Sequence, residues 1–206
     1  MKNKTVIFSA AYFPPVNYIA EILNSDKIII EQYENYQKQS YRNRCEILSP
    51  NGKQTLSVPV IKKSGKKQLI KDVKIDYKTE WQSLHLKSLK TAYFSSPFFE
   101  FYIDVFLPFF EKKYTFLFDL NIEILQTLLN ELEIKKEITF SEKYEFSYPF
   151  NDFRNSIHPK IKLNTEYFKP EIYTQVFFDR FDFIPNLSVL DLLFNEGPAA
   201  ESFLIR

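Results

Sequence analysis

At 206 residues, 45% hydrophobic and 17% aromatic, the chain is long enough to bury a substantial core, and this length favours a single domain over residues 1–206. Its 27 basic and 26 acidic side chains leave a net charge of +1, so no global field draws a polyanion and nucleic acid is not expected as a partner. No apolar run approaches the roughly 20 residues that cross a bilayer, and the single cysteine, Cys45, excludes an internal disulfide and a cysteine-rich zinc site.

The opening MKNKTVIFSAAYFPP sets basic residues ahead of an apolar stretch. That stretch, Val6 to Ala11, is short, contains Ser9 and runs into Pro14 and Pro15. A buried strand over Thr5–Ala11 is therefore expected rather than a signal segment, and the chain reads as cytoplasmic. The two prolines force an extended turn, Val16–Leu23 reads as a short helix, and KIIIEQY follows as a second strand. Such a βαβ start places the loop after the first strand at the carboxyl edge, where open α/β sheets bind ligands.

Cys45–Val60 reads as a hairpin, with Pro50, Asn51 and Gly52 in the turn and Leu56, Val58 and Val60 alternating with Thr55, Ser57 and Pro59. KKSGKK predicts a solvent-facing loop, and Val73, Ile75 and Tyr77 alternate as a further strand. From Glu80 the period becomes helical through Leu86, Leu89 and Tyr93. Ser96 with Pro97 predicts the cap and first turn of a second helix, with Phe98, Tyr102, Val105 and Phe109 on one face and Pro108 kinking or ending it. A third helix is expected over Asn121–Glu133.

EITFSEKYEF predicts a strand, Ser147–Pro170 a long ordered loop of the kind that carries function more often than not, and YTQVFF a short strand. Ser188 to Asp191 predicts a cap in which Asp191 reaches back toward Ser188, with Gly197 and Pro198 stopping the helix. The fold class is α/β: one domain, a mixed β-sheet with flanking helices and a β-hairpin.

Between Asn35 and Arg44 the chain concentrates Asn35, Lys38, Gln39, Arg42, Asn43 and Arg44 ahead of the hairpin. Two guanidinium forks, an ammonium and several amides suit a phosphate or carboxylate, and Tyr12 in the first loop joins them. If the stretch were helical, Asn35, Lys38, Gln39 and Arg42 would share one face. His85, one of two histidines, is the natural general base and shares a helix face with Trp81. Cys45 has no base beside it and is not expected to be the nucleophile. His158 reads as a loop residue. Two distant histidines give no metal-ligand set. Gly52, Gly65 and Gly197 are the only glycines, so no phosphate-binding glycine loop exists and no cofactor is expected.

AYFPPVNY, ENYQKQSYRNRCEILSPNGKQTLSVPV, the pair Trp81 and His85, AYFSSPFFEFY, FLFDLN and FIPNLSVLDLLFNEGP together resemble the WbqC-like family, in the form found in Bacteroidetes-type bacteria, over nearly the whole chain. The resemblance implies a transferase of surface-polysaccharide biosynthesis, moving an acyl or aminoacyl group to an amino sugar and binding an anionic small molecule such as a nucleotide-linked sugar or acyl donor. Many longer members have a first loop resembling HQPNYLP and a glycine-rich segment. Here FSAAYFPP has no histidine and that segment is missing, so a mechanism needing the histidine does not carry over. The alternative is a non-catalytic module binding nucleotide, or a protein partner through aromatic surface around Phe98 to Phe110.

Overall fold

Val6, Ile7 and Phe8 are shielded from solvent on both faces of the strand that they form, β1 (Thr5–Ser9), as expected at the centre of a parallel sheet. The structure, a computed structural model, describes residues 4–61, 67–163 and 168–205. Pro15 ends the extended turn, and α1 (Val16–Leu23) carries the chain back to β2 (Lys27–Glu31), which pairs parallel to β1 from Thr5 opposite Lys27 to Ser9 opposite Glu31. Two shorter strands, β5 (Ile138–Phe140) beside β2 and β6 (Asn151–Asp152) beside β1, complete the order β5-β2-β1-β6, all parallel. Because every strand runs the same way, Ser9, Glu31, Phe140 and Asp152 all end at one edge.

The hairpin is a separate two-stranded sheet, β3 (Arg44–Ser49) and β4 (Gly52–Ser57), so the expected mixed sheet resolves into a parallel sheet and an antiparallel pair. Gly52 sits at φ +95°, a conformation that glycine adopts without a Cβ penalty, and closes the Pro50–Asn51 turn. The loop expected at residues 62–67 lies outside the described residues except for Lys67. Val73, Ile75 and Tyr77 do not form a strand. A 3₁₀ turn (Ile70–Asp72) precedes isolated bridges from Ile75 to Val60 and from Lys74 to Phe116, and alternation buries Val73 and Ile75 without a ladder.

Five helices follow: α2 (Trp81–Tyr93), α3 (Phe99–Phe106), α4 (Pro108–Glu111), α5 (Leu117–Glu131) and α6 (Val189–Glu196). Ser96 does not cap α3. Its hydroxyl donates back to the Tyr93 carbonyl at 2.7 Å, finishing the turn that ends α2. Pro108 opens the one-turn α4 after α3 has stopped. Phe99, Phe106, Phe109 and Phe110 are core, packed around Phe13 and Phe194, Tyr102 is buried as well, and of this run Phe101 is the ring left well exposed. YTQVFF is irregular backbone rather than a strand.

Ser188 does cap α6, accepting from the Leu190 amide, but Asp191 does not reach back to it. Asp191 is fully buried and accepts from Tyr173 Oη at 2.6 Å and Gln175 Nε2 at 2.8 Å, tying the 173–184 segment to the helix. Gly197 ends the helix at φ +54°, where a Cβ would lie 2.5 Å from the Phe98 ring.

Candidate functional site

At the carboxyl edge of the parallel sheet, buried charges take the place of the apolar side chains that fill the strands. Arg42 is 2% exposed and grips Glu34 with two nitrogens, Nε to Oε1 at 2.8 Å and Nη2 to Oε2, while Nη2 also donates to Ser9 Oγ at 2.7 Å. Arg154, just beyond β6, reaches Glu31 at 3.1 Å and Asp152 at 2.6 Å, and its guanidinium lies about 5 Å from the Tyr144 and Tyr148 ring centres (5.0 and 4.8 Å). Ser141 completes the shell on Glu31 at 2.6 Å. Two guanidiniums and three carboxylates thus knit together the chain that follows β1, β2, β5 and β6. A buried pair of this kind fixes geometry rather than adding much net stability, because desolvation offsets most of the attraction.

The polar stretch 35–44 is a succession of turns, not a helix, with Gln39 at φ +57°. No common face therefore unites Asn35, Lys38, Gln39 and Arg42. Asn35, Lys38 and Gln39 are exposed. Arg42 is committed to Glu34. Asn43 is buried and holds the Val58 carbonyl at 3.0 Å, while α5 secures the turn through Asn121 Nδ2 to the Arg42 carbonyl at 2.7 Å.

Arg44 differs from Arg42. It is the first residue of β3, half-buried, and among the described residues it has no carboxylate partner, while its Nε is buried without an acceptor. Tyr36 faces it: burial pushes the phenol up to about 12, with Arg44 and Arg42 pulling the other way.

Gln37 Nε2 meets Asn155 Oδ1 at 3.1 Å and Lys160 Nζ meets Gln39 Oε1 at 2.6 Å, so the 153–160 loop is drawn against these turns. His158 lies in it, half-buried, its Nδ1 accepting from the Lys160 amide at 3.1 Å. Burial, then the charges of Arg42, Lys160 and Arg44, hold this imidazole below its usual range. Three cations, Arg42, Lys160 and Arg44, thus act on one half-buried imidazole, and among the described residues Arg42 alone of the three has a carboxylate partner.

His85 and Tyr12 come together elsewhere. Tyr12 Oη and His85 Nδ1 are 2.9 Å apart in the core, His85 is 5% exposed, and Trp81 packs on it with ring centres 5.2 Å apart. Burial lowers the His85 pKa to about 4, partly opposed by its hydrogen bond to the Ser57 carbonyl. With that carbonyl accepting from the ring N–H, Nδ1 accepts the Tyr12 proton, and the neutral ring is a core hydrogen-bond partner. Tyr12 also bonds the Tyr41 carbonyl through its amide at 2.8 Å, tying the first loop to the turns. Cys45 is buried, and burial, followed by Glu46, raises its thiol far above the usual range.

Residues 10–158 match the WbqC-like protein family, nearly three-quarters of the sequence. The chain belongs to that family. It is similar to the uncharacterized protein Rv1507c of Mycobacterium tuberculosis, 27% identical over 227 residues that cover 98% of this chain and 97% of that protein. No solved structure matches it. The WbqC-like match takes in the first loop, the turns, the hairpin, Arg154 and His158, and ends ahead of Lys160 and α6.

Within this WbqC-like chain a surface depression of about 970 Å³, counted to its open mouth, lies at the far end of α5 among Gln126, Asn130, Glu133 and Lys136. It borders Ile138, the first residue of β5, and so lies toward the edge opposite the carboxyl ends of the strands. Among the described residues no group of three or more His, Cys, Asp or Glu is placed to hold a metal ion, and no helix is long and apolar enough to cross a membrane. Sequence reasoning passed over Arg154 and Lys160 and read His158 only as a loop residue, which it is. The available signal was the long polar loop at 147–170, which they share.

Proposed function

We propose that this protein binds a small anionic molecule at the carboxyl edge of its parallel sheet, with Arg44, Lys160 and His158 facing the anion. The observation that carries this is Arg44, a half-buried guanidinium whose Nε is buried without an acceptor and which has no carboxylate partner among the described residues; its charge, with those of Arg42 and Lys160, acts on His158. Arg42 and Asn43 support the turn from behind, Tyr12 anchors it, and Asn35, Lys38 and Gln39 sit on its exposed side as rim contacts. One apolar cluster joins sheet, hairpin and helices, which supports a single domain.

Family resemblance supports the finer reading: a cytoplasmic transferase of the Bacteroidetes-type form, moving an acyl or aminoacyl group to an amino sugar in surface-polysaccharide synthesis, with a nucleotide-linked sugar or acyl donor as the anion. A second reading, a binding module without chemistry, is favoured by the burial of both His85 and Cys45. Turnover separates the two.

Calorimetric titration of nucleotide-linked sugars onto wild type, Arg44→Lys and Lys160→Gln tests the site. Replacing the fork by a point charge is expected to weaken binding by about 1–3 kcal/mol. Equal affinity in all three proteins would remove Arg44 and Lys160 from the site.

A further inference from the structure

The parallel sheet has an open flank. β5 is its outermost strand on the β2 side, and among the described residues no strand pairs with its other side. The Ser141 amide donates to the Ile30 carbonyl at 3.0 Å, so by alternation the amide and carbonyl of Thr139 also turn toward β2, and those of Ile138 and Phe140 turn outward. These outward groups stand on a strand, Ile-Thr-Phe, that carries neither the charge nor the proline that commonly blunts such an edge. The strand is only three residues long, so whatever pairs there has to add side-chain contacts to the backbone bonds.

Ile138 and Phe140 share the face toward α5. Phe140 sets its ring 5.8 Å from that of Phe118 on α5, yet stays 42% exposed. Ile138 borders the depression at the end of α5, whose apolar floor is Leu129 and Ile134. We infer that β5 pairs antiparallel with β5 of a second copy of this chain, about a two-fold axis at Thr139. In that register Ile138 lies opposite the partner's Phe140, and the outward backbone groups of the two are the ones that such a pair exchanges. The half-exposed phenyl ring of each copy then covers Ile138 and the apolar floor beside it on the other. The flanking sequence KKEITFSEK is self-complementary about the same axis, as an isologous contact requires. It sets Lys136, half-buried with Nζ on the Ser25 carbonyl and no carboxylate partner among the described residues, opposite the partner's exposed Glu142. Lys135 falls opposite the partner's Lys143, whose charge is offset by Glu145 at 2.7 Å. The sheet becomes continuous across both copies, and the carboxyl edge with its buried ion pairs stays clear of the contact.

Sedimentation equilibrium of the intact protein over roughly 1 μM to 1 mM measures the association, and amide hydrogen exchange locates it. The mean mass is expected to rise toward that of a dimer with concentration. The Ile138 and Phe140 amides should gain protection in step with it, while the Thr139 amide is protected throughout. Phe140→Lys should abolish the dimer by setting a charge against the apolar floor. Lys136→Glu and Glu142→Lys should each weaken it by about fivefold or more, because like charges then meet on both sides of the axis, and an equimolar mixture of the two should associate more tightly than either alone. Glu142 is exposed, so its variant keeps the test decisive if Phe140→Lys fails to fold. A monomer at every concentration overturns the inference. So does a dimer in which protection at Ile138 and Phe140 is independent of concentration, or whose strength the charge changes leave unaltered, since the copies then meet through another surface.

Discussion

His85 makes a prediction in which sign and size both follow from the structure. In the folded protein its pKa is lowered to about 4, burial being the main cause, whereas an unfolded chain titrates it near the ordinary value of about 6.5. Between these values the unfolded state binds a proton that the folded state refuses. The contribution of His85 to stability is therefore complete above about pH 6.5, falls as pH drops toward 4, and levels off below. Linkage puts the loss between pH 7 and pH 5 at about 2 kcal/mol and the full loss at about 3 kcal/mol.

His85→Gln keeps a side chain that can both donate and accept but removes the titration. Urea unfolding of wild type and variant at half-unit steps from pH 7.5 to 4.5 is the assay. Carboxylates common to both proteins cancel in the difference. Wild type should lose about 2 kcal/mol more than the variant between pH 7 and 5. Stability curves that run parallel within about 0.5 kcal/mol, the size of an ordinary surface effect, would show that His85 is not the buried neutral ring described here.

Breaking the Arg42–Glu34 pair from one side should be costly: Arg42→Ala is expected to lose about 3–5 kcal/mol by leaving a carboxylate buried without its partner, and the double change Arg42→Met with Glu34→Leu much less; denaturant midpoints of the three proteins compare them. Trp81→Ala should lose about 3–5 kcal/mol, because the ring is 3% exposed and packs on His85, Tyr12 and Tyr77. A measured loss below about 1 kcal/mol would place it outside the core. Cys45 should resist iodoacetamide in the native protein at pH 8 and react on unfolding, since its thiol is buried and its pKa is raised. Rapid native labelling, followed by mass spectrometry, would contradict that burial.

Where a segment's own residues decide its conformation, the sequence was sufficient. The β-branched runs of β1 and β2, the prolines between them, the helix at Val16–Leu23 and the turn at Gly52 all depend on neighbours within a few residues, and they lie where period and turn chemistry put them. Alternation misled at Val73, Ile75 and Tyr77, because it records which side chains are buried and not whether a partner strand lies alongside. The two residues of β6 are too few to carry a period, so their pairing with β1 came from the tertiary structure alone.

The site divides in the same way. Sequence singled out Arg42 and Arg44, two residues apart, and favoured Arg42 for its helical register with Asn35 and Lys38, a register that the turns do not have. Folding sends one into a buried pair with Glu34 and leaves the other without a described carboxylate. Arg154, His158 and Lys160, more than 100 residues downstream, reach the same edge because β6 runs parallel to β1. A side chain's charge is written in its own letter, but whether that charge is neutralised, buried or left facing solvent depends on what distant chain is packed against it, and that is settled only when the sheet assembles.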